Sequence, residues 1–104
     1  MDKSVRFRTR LENGIVNVKI LIFHPMETGY RKDKKTNEIV PKHFIHTVNV
    51  FQNDDLVMVI HWSRSVSKNP YLNLKIRECN LGDLIRVSWE DNFGESGFGE
   101  VKLE

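Results

Sequence analysis

Cysteine is nearly absent from this chain. Cys79 is the single one among 104 residues, so no intrachain disulfide can close and no cysteine cage can hold a metal. Long apolar stretches are missing as well, and none approaches the ~20 residues that a membrane helix needs. No segment keeps helical spacing over three turns. The familiar catalytic and phosphate-cradling signatures are missing: there is no Gly-x-Ser-x-Gly elbow, no P-loop and no dinucleotide fingerprint. Charge of one sign is scarce too. The net charge of +2 does not argue for nucleic acid by itself. The opening Met1-Asp2-Lys3-Ser4 has no apolar core of a signal peptide. The expectation is a chain that leaves the cytoplasm only in the company of a signal-bearing partner, and otherwise stays there.

What is present fits one folded domain. Apolar residues make up 39% and charged residues 29%, ordinary for a globular fold, and 104 residues suffice for one core but not two. With no disulfide available, an apolar core must supply the stability.

The dominant period is two. Val5, Phe7, Thr9 and Leu11 alternate with Arg6, Arg8 and Arg10, which predicts a half-buried strand with a cationic outer row. Asn13-Gly14 signals a tight hairpin. Val16, Val18, Ile20 and Ile22 follow in alternation, with Leu21 and Phe23 making the end of that strand apolar on both faces. Further strands are predicted over 44–52, 56–62, 71–78, 84–90 and 98–103, with turns at 53–55, 79–82 and 91–94. About seven strands with turn signals every 8–12 residues predict an all-β, immunoglobulin-like sandwich spanning 1–104 as one domain. If successive strands run antiparallel, the loops at 25–43, 63–70 and 91–96 share one end, and the tight turns at 12–14, 53–55 and 79–82 share the other. The irregular end is then the candidate recognition surface.

Several residue types that carry chemistry also have ordinary structural roles. His24, His43, His46 and His61 invite a metal reading, although His43 and His46 do not share a strand face. Arg77 is expected on the strand face of Cys79, a small push toward thiolate, against a plain structural thiol. Glu27 is the one carboxylate in an unusual setting, and either fixes the loop or pairs with a cation. The basic loop residues Arg31, Lys32, Lys34, Lys35 and Lys42 suit phosphates or an acidic protein, or a solvated hairpin turning at Lys35–Glu38. Few aromatics interleave with them, which disfavours nucleic acid. Ile15, Leu21, Phe23 and Phe51 fall out of phase with the core rows, so they either fill a second core face or form an apolar patch for another chain.

The run His24-Pro25-Met26-Glu27-Thr28-Gly29, with Arg31-Lys32-Asp33 after it, resembles the Z subunit of the bacterial sulfur-oxidation carrier complex, the SoxZ family. Ile39-Val40-Pro41-Lys42-His43-Phe44-Ile45, Ser67-Lys68-Asn69-Pro70-Tyr71-Leu72 and Ser88-Trp89-Glu90-Asp91-Asn92 continue the likeness in order and spacing. The resemblance implies a non-catalytic scaffold without cofactor. It would pair with a SoxY-type subunit that carries sulfur intermediates of thiosulfate oxidation on a cysteine in a glycine-rich arm. Other enzymes of the pathway would be met transiently, and the heterodimer would work in the periplasm. The chain ends Glu100-Val101-Lys102-Leu103-Glu104 without such an arm, which implies that it is not the carrier. Under this reading His24, Pro25, Met26, Glu27, Thr28, Gly29, Arg31, Lys32, Asp33, Asn69, Pro70 and Tyr71 are protein-binding candidates, and Ile15, Leu21, Phe23 and Phe51 interface candidates. Two positions depart from the family pattern: Asn37 stands where a glycine is usual, and Cys79 where no cysteine is expected. A His-based metalloprotein or enzyme, and a structural homo-oligomer, remain the rival expectations, a homodimer being one state open to the isolated subunit.

Overall fold

The structure, a computed structural model, describes residues 3–104; Met1 and Asp2, part of the export-signal reading, lie outside the described residues. Seven strands follow in order: β1 (Val5–Glu12), β2 (Ile15–Ile22), β3 (Ile45–Gln52), β4 (Asp55–His61), β5 (Tyr71–Ile76), β6 (Leu84–Asp91) and β7 (Ser96–Lys102). They form two antiparallel sheets, ordered β1-β2-β5 and β4-β3-β6-β7. The chain is an all-β sandwich. Two-residue turns set the register of two hairpins. Asn13-Gly14 and Asn53-Asp54 all take left-handed backbone, the requirement of a type I′ turn.

The alternation read from sequence is the alternation of burial. Val16, Val18, Ile20 and Ile22 of β2 are fully buried against Val48, Val50, Ile85 and Val87 of the facing sheet. Each such side chain contributes roughly 1.5–3 kcal/mol of burial. Strand ends differ by one or two residues from the expected bounds. β5 stops at Ile76 because Glu78 turns into left-handed backbone (φ 57°), so Arg77 and Cys79 share no strand face.

The two long sides of the sandwich are unlike. On one, β1 and β7 close together: a Cβ at Gly99 would lie 2.9 Å from Val5 Cβ and 3.0 Å from the Phe7 ring. On the other, β4 and β5 are both sheet edges, and a groove lined by Met58, Val57, Ile76 and Arg77 runs between them. The inward residues there, Met58, Ile60, Leu72 and Leu74, are only half-buried.

Ile15, Leu21, Phe23 and Phe51 do not build a second core face. They point outward, Ile15 and Phe23 being 42% and 41% exposed. Nor do they make one patch. Ile15 opens β2, Leu21 is near its end and Phe23 follows its last residue, while Phe51 lies on the other sheet. A one-residue change of phase moves a side chain to the opposite sheet face, and these residues are on the solvent side.

Candidate functional site

The irregular loops meet at one end, as the strand directions require. Asn69 and His24 exchange bonds, Phe44 and Asn92 exchange bonds, and Arg64 reaches the Tyr30 hydroxyl and ring. The tight turns meet at the other end through Cys79–Gly14, Gln52–Glu78 and Asn53–Asp83 contacts.

The loop after β2 is built residue by residue from its sequence. His24 is 4% exposed, and its Nδ1 accepts the Met26 amide at 3.0 Å. Met26 sits in left-handed backbone (φ 47°) and turns its side chain into the core, where Sδ accepts the Ile45 amide. Glu27 exchanges two backbone bonds with His43 and binds the Arg31 guanidinium with both carboxylate oxygens. The Arg31 bond holds the Glu27 carboxyl below its ordinary pKa and holds the guanidinium above its own. Thr28 Oγ1 accepts the Tyr30 amide. Gly29 takes φ 88°, and a Cβ there would lie 3.0 Å from Lys42 Cβ, so this position needs glycine twice over. Asp33 closes the distal hairpin by accepting from Lys35 and Asn37 and donating to Glu38. Asn37 supplies the left-handed tip (φ 59°), a conformation that asparagine tolerates.

The loops converge on a buried carboxylate. Asp91 is 3% exposed. Its Oδ2 accepts from His24 Nε2 at 2.9 Å and from His43 Nε2 at 2.7 Å. Its Oδ1 accepts the amides of Phe93 and Glu95. His43 Nε2 also lies 2.9 Å from Glu95 Oε1, and the His43 ring stacks on Phe93 at 3.9 Å. Burial pushes the Asp91 carboxyl up, but the bonds from His24, His43 and the two amides outweigh it, and the pKa lies below the ordinary value.

His24, His43 and Asp91 offer three donor atoms within 4.8 Å of one another, the geometry of a metal cluster. The hydrogen bonds decide against an open ligand set. Because His24 Nδ1 accepts a backbone N–H, the ring proton is on Nε2 and is donated to Asp91. To bind a metal through Nε2, the ring would have to move that proton to Nδ1, against the Met26 amide. His46 bonds its neighbour Thr47, and His61 is on exposed β4, so neither joins the cluster.

Of the loop residues singled out from sequence, His24, Met26 and Pro70 face inward, and Glu27, Thr28, Gly29, Asp33 and Asn69 are half-buried. Pro25, Arg31, Lys32 and Tyr71 are exposed. Asp91 and Glu95 were not singled out. The signal for Asp91 was its place in Asp91-Asn92-Phe93-Gly94, where an aspartate can accept the amides of its own turn. Cys79 is 2% exposed, and burial, with Asp83 nearby, pushes its thiol pKa up rather than down. This corrects the expected push toward thiolate by Arg77.

The family described as Sulphur oxidation protein SoxZ matches residues 5–102. No curated protein is matched by the chain. Nearly the whole sandwich, from the first residue of β1 to the last of β7, is covered by that match, and the chain belongs to the SoxZ family of sulfur-oxidation proteins.

Proposed function

We propose that the chain is a non-catalytic scaffold subunit that holds the SoxY-type carrier of sulfur intermediates and presents it to the enzymes that act on it. It would work in the periplasm, exported with the carrier. Two features support a binding role over a chemical one. The side chains best suited to chemistry are engaged in fixing loops: both His24 nitrogens are occupied, Glu27 is held by Arg31, and the Cys79 thiol is buried. Against this, strand β4 has the features of an unfinished interface.

The observation that carries the reading is β4 itself. Leu56-Val57-Met58-Val59-Ile60 is an uninterrupted apolar run on a sheet edge, with Leu56, Val57 and Val59 at 53%, 43% and 43% exposure. Exposed edges are normally guarded by lysine, proline, short length or a bulge; this run has neither residue in five positions, and the register shift opposite Val50 and Phe51 sets only Val57 out of the ladder, leaving Met58–His61 regular. Beside it the core residues Met58 and Ile60 are half-covered. A second subunit laid along β4 would complete both the hydrogen-bond ladder and the core.

Co-expression with the carrier subunit tests this. Val59→Glu, at an exposed position, should leave the isolated fold intact and weaken the heterodimer at least about tenfold, the effect of losing one interface anchor. Unchanged affinity would reject β4 as the contact. Failure of the unsubstituted chain to bind the carrier, or turnover of a sulfur substrate by this chain alone, would reject the scaffold reading itself.

A further inference from the structure

The outer face of the β1-β2-β5 sheet is one-sided in charge. Arg6, Arg8 and Arg10 point outward along β1, and Lys19 of β2 and Lys75 of β5 share that face. Glu12 is the one carboxylate at an outward position of these strands, and Arg10 binds it at 2.6 Å. Five cations against one anion stand on one sheet of a chain whose whole balance is +2.

The register concentrates this charge. Arg8 is directly opposite Lys19, and Asn17 stands between Arg10 and Lys75. Like charges placed opposite one another weaken a sheet. No ion pair among the described residues relieves Arg8, Lys19 or Lys75. Asn17 Oδ1, buried between two of the cations, has no hydrogen-bond partner. Shallow depressions run along the same face, one between Arg8, Lys19 and Asn17 and another bordered by Arg6, Leu21 and Tyr71. An unrelieved cationic row kept at the expense of the sheet, with an apolar end, suits a partner that supplies carboxylates.

We propose that this face docks an acidic segment of a partner protein, with carboxylates on Arg8, Lys19 and Lys75 and an apolar side chain against Leu21 and Tyr71. Polynucleotides fit less well. Single strands need aromatic platforms between the cations, and here Tyr71 lies at one corner while Arg6 covers Phe23. Arg8 and Lys19 lie on the sheet opposite β4 and outside the groove between β4 and β5, whereas Lys75 borders that groove, so the test variants are placed at Arg8 and Lys19.

The test uses the full chain and a fluorescein-labelled peptide of glutamate and serine with one central phenylalanine, read by anisotropy at low salt. Arg8→Glu with Lys19→Glu should weaken binding at least about tenfold, and added salt should weaken the unsubstituted chain steeply. Lys34→Glu with Lys35→Glu, the same charge change in the exposed loop, should weaken it less than about threefold. A neutral pair, Arg8→Ser with Lys19→Ser, guards against misfolding. It should melt a few degrees higher, about 1–5 °C, through relief of the opposed charges, while still losing peptide affinity. Val59→Glu should bind the peptide as the unsubstituted chain does, which separates this proposal from the carrier contact. Equal loss in the loop and face variants would overturn the proposal, as would full affinity in the serine pair. Tighter binding to a DNA duplex or to anionic phosphatidylglycerol vesicles than to the peptide would overturn the choice of a protein partner.

Discussion

Asp91→Asn is isosteric, and its effect follows from the direction of four hydrogen bonds. Asp91 Oδ1 accepts two turn amides at 3.0 and 2.9 Å, and Oδ2 accepts two imidazole N–H groups at 2.9 and 2.7 Å. Asparagine keeps one acceptor oxygen. If that oxygen holds the turn, the NH₂ group faces His24 Nε2–H and His43 Nε2–H, donor against donor. His43 has an alternative, because Glu95 Oε1 is 2.9 Å away and the ring is partly exposed. His24 has none. Its side chain is 2% exposed, and its other nitrogen is fixed as an acceptor by Met26. One buried donor is therefore stranded and one charge-assisted bond is lost, which costs about 3 kcal/mol. For a domain of this size that corresponds to a melting temperature lower by about 12–24 °C. Circular dichroism melts read it directly. The sign with pH is fixed as well. Asp91 has a lowered pKa in the folded state, so its stabilisation is present above the ordinary carboxylate value near ~4 and is lost as pH falls through the lowered value. The unsubstituted chain should lose melting temperature below about pH 4, and the variant should show a shallower fall. A variant melting within 3 °C of the parent at about pH 7 would refute the donor–donor argument. So would histidine ¹⁵N shifts that place the His24 proton on Nδ1.

Two further outcomes follow from local geometry. Gly29→Ala places a Cβ 3.0 Å from Lys42 at φ 88° and should destabilise by about 1–2 kcal/mol in a denaturant titration, whereas Gly82→Ala, whose Cβ meets nothing within 4 Å, should lose only the backbone part of that. Cys79, 2% exposed and with its thiol pKa raised, should react with a thiol reagent only at the rate of unfolding or local opening; rapid stoichiometric labelling of the native chain would contradict its buried placement.

Much of the sandwich was legible because its signals are local. Period-two alternation in β1, β2, β5 and β6 depends only on which face is dry, and Asn13-Gly14 names its turn by backbone preference alone. The grouping of three loops at one end followed from strand direction. The buried cluster was not legible, because His24 and Asp91 are 67 positions apart and meet only through the fold. Met26 was equally opaque: a methionine after proline reads as a loop residue, yet its left-handed backbone sends the side chain into the core. The apolar run at β4 was visible in the sequence as a strand, but its edge position depends on which strands pair, a long-range property that spacing does not encode.

The long loop is fixed largely by its own side chains. An irregular loop usually carries function because it is free to vary over a rigid scaffold. Here the residues of the long loop spend their polar groups on one another: His24 on Met26 and Asp91, Glu27 on Arg31 and the His43 backbone, Asp33 on its own hairpin. Side chains committed in this way fix the shape of that end of the sandwich. Lys32, Lys34, Lys35 and Lys42 of the loop form no ion pair among the described residues, and further unpaired groups lie along the β4 edge on one sheet and across the Arg8–Lys19 row on the other. Unsatisfied backbone and unneutralised charge are what association can relieve. A protein with those two deficits on opposite sheets is suited to stand between two partners, one recognised by apolar surface and backbone pairing, the other by charge.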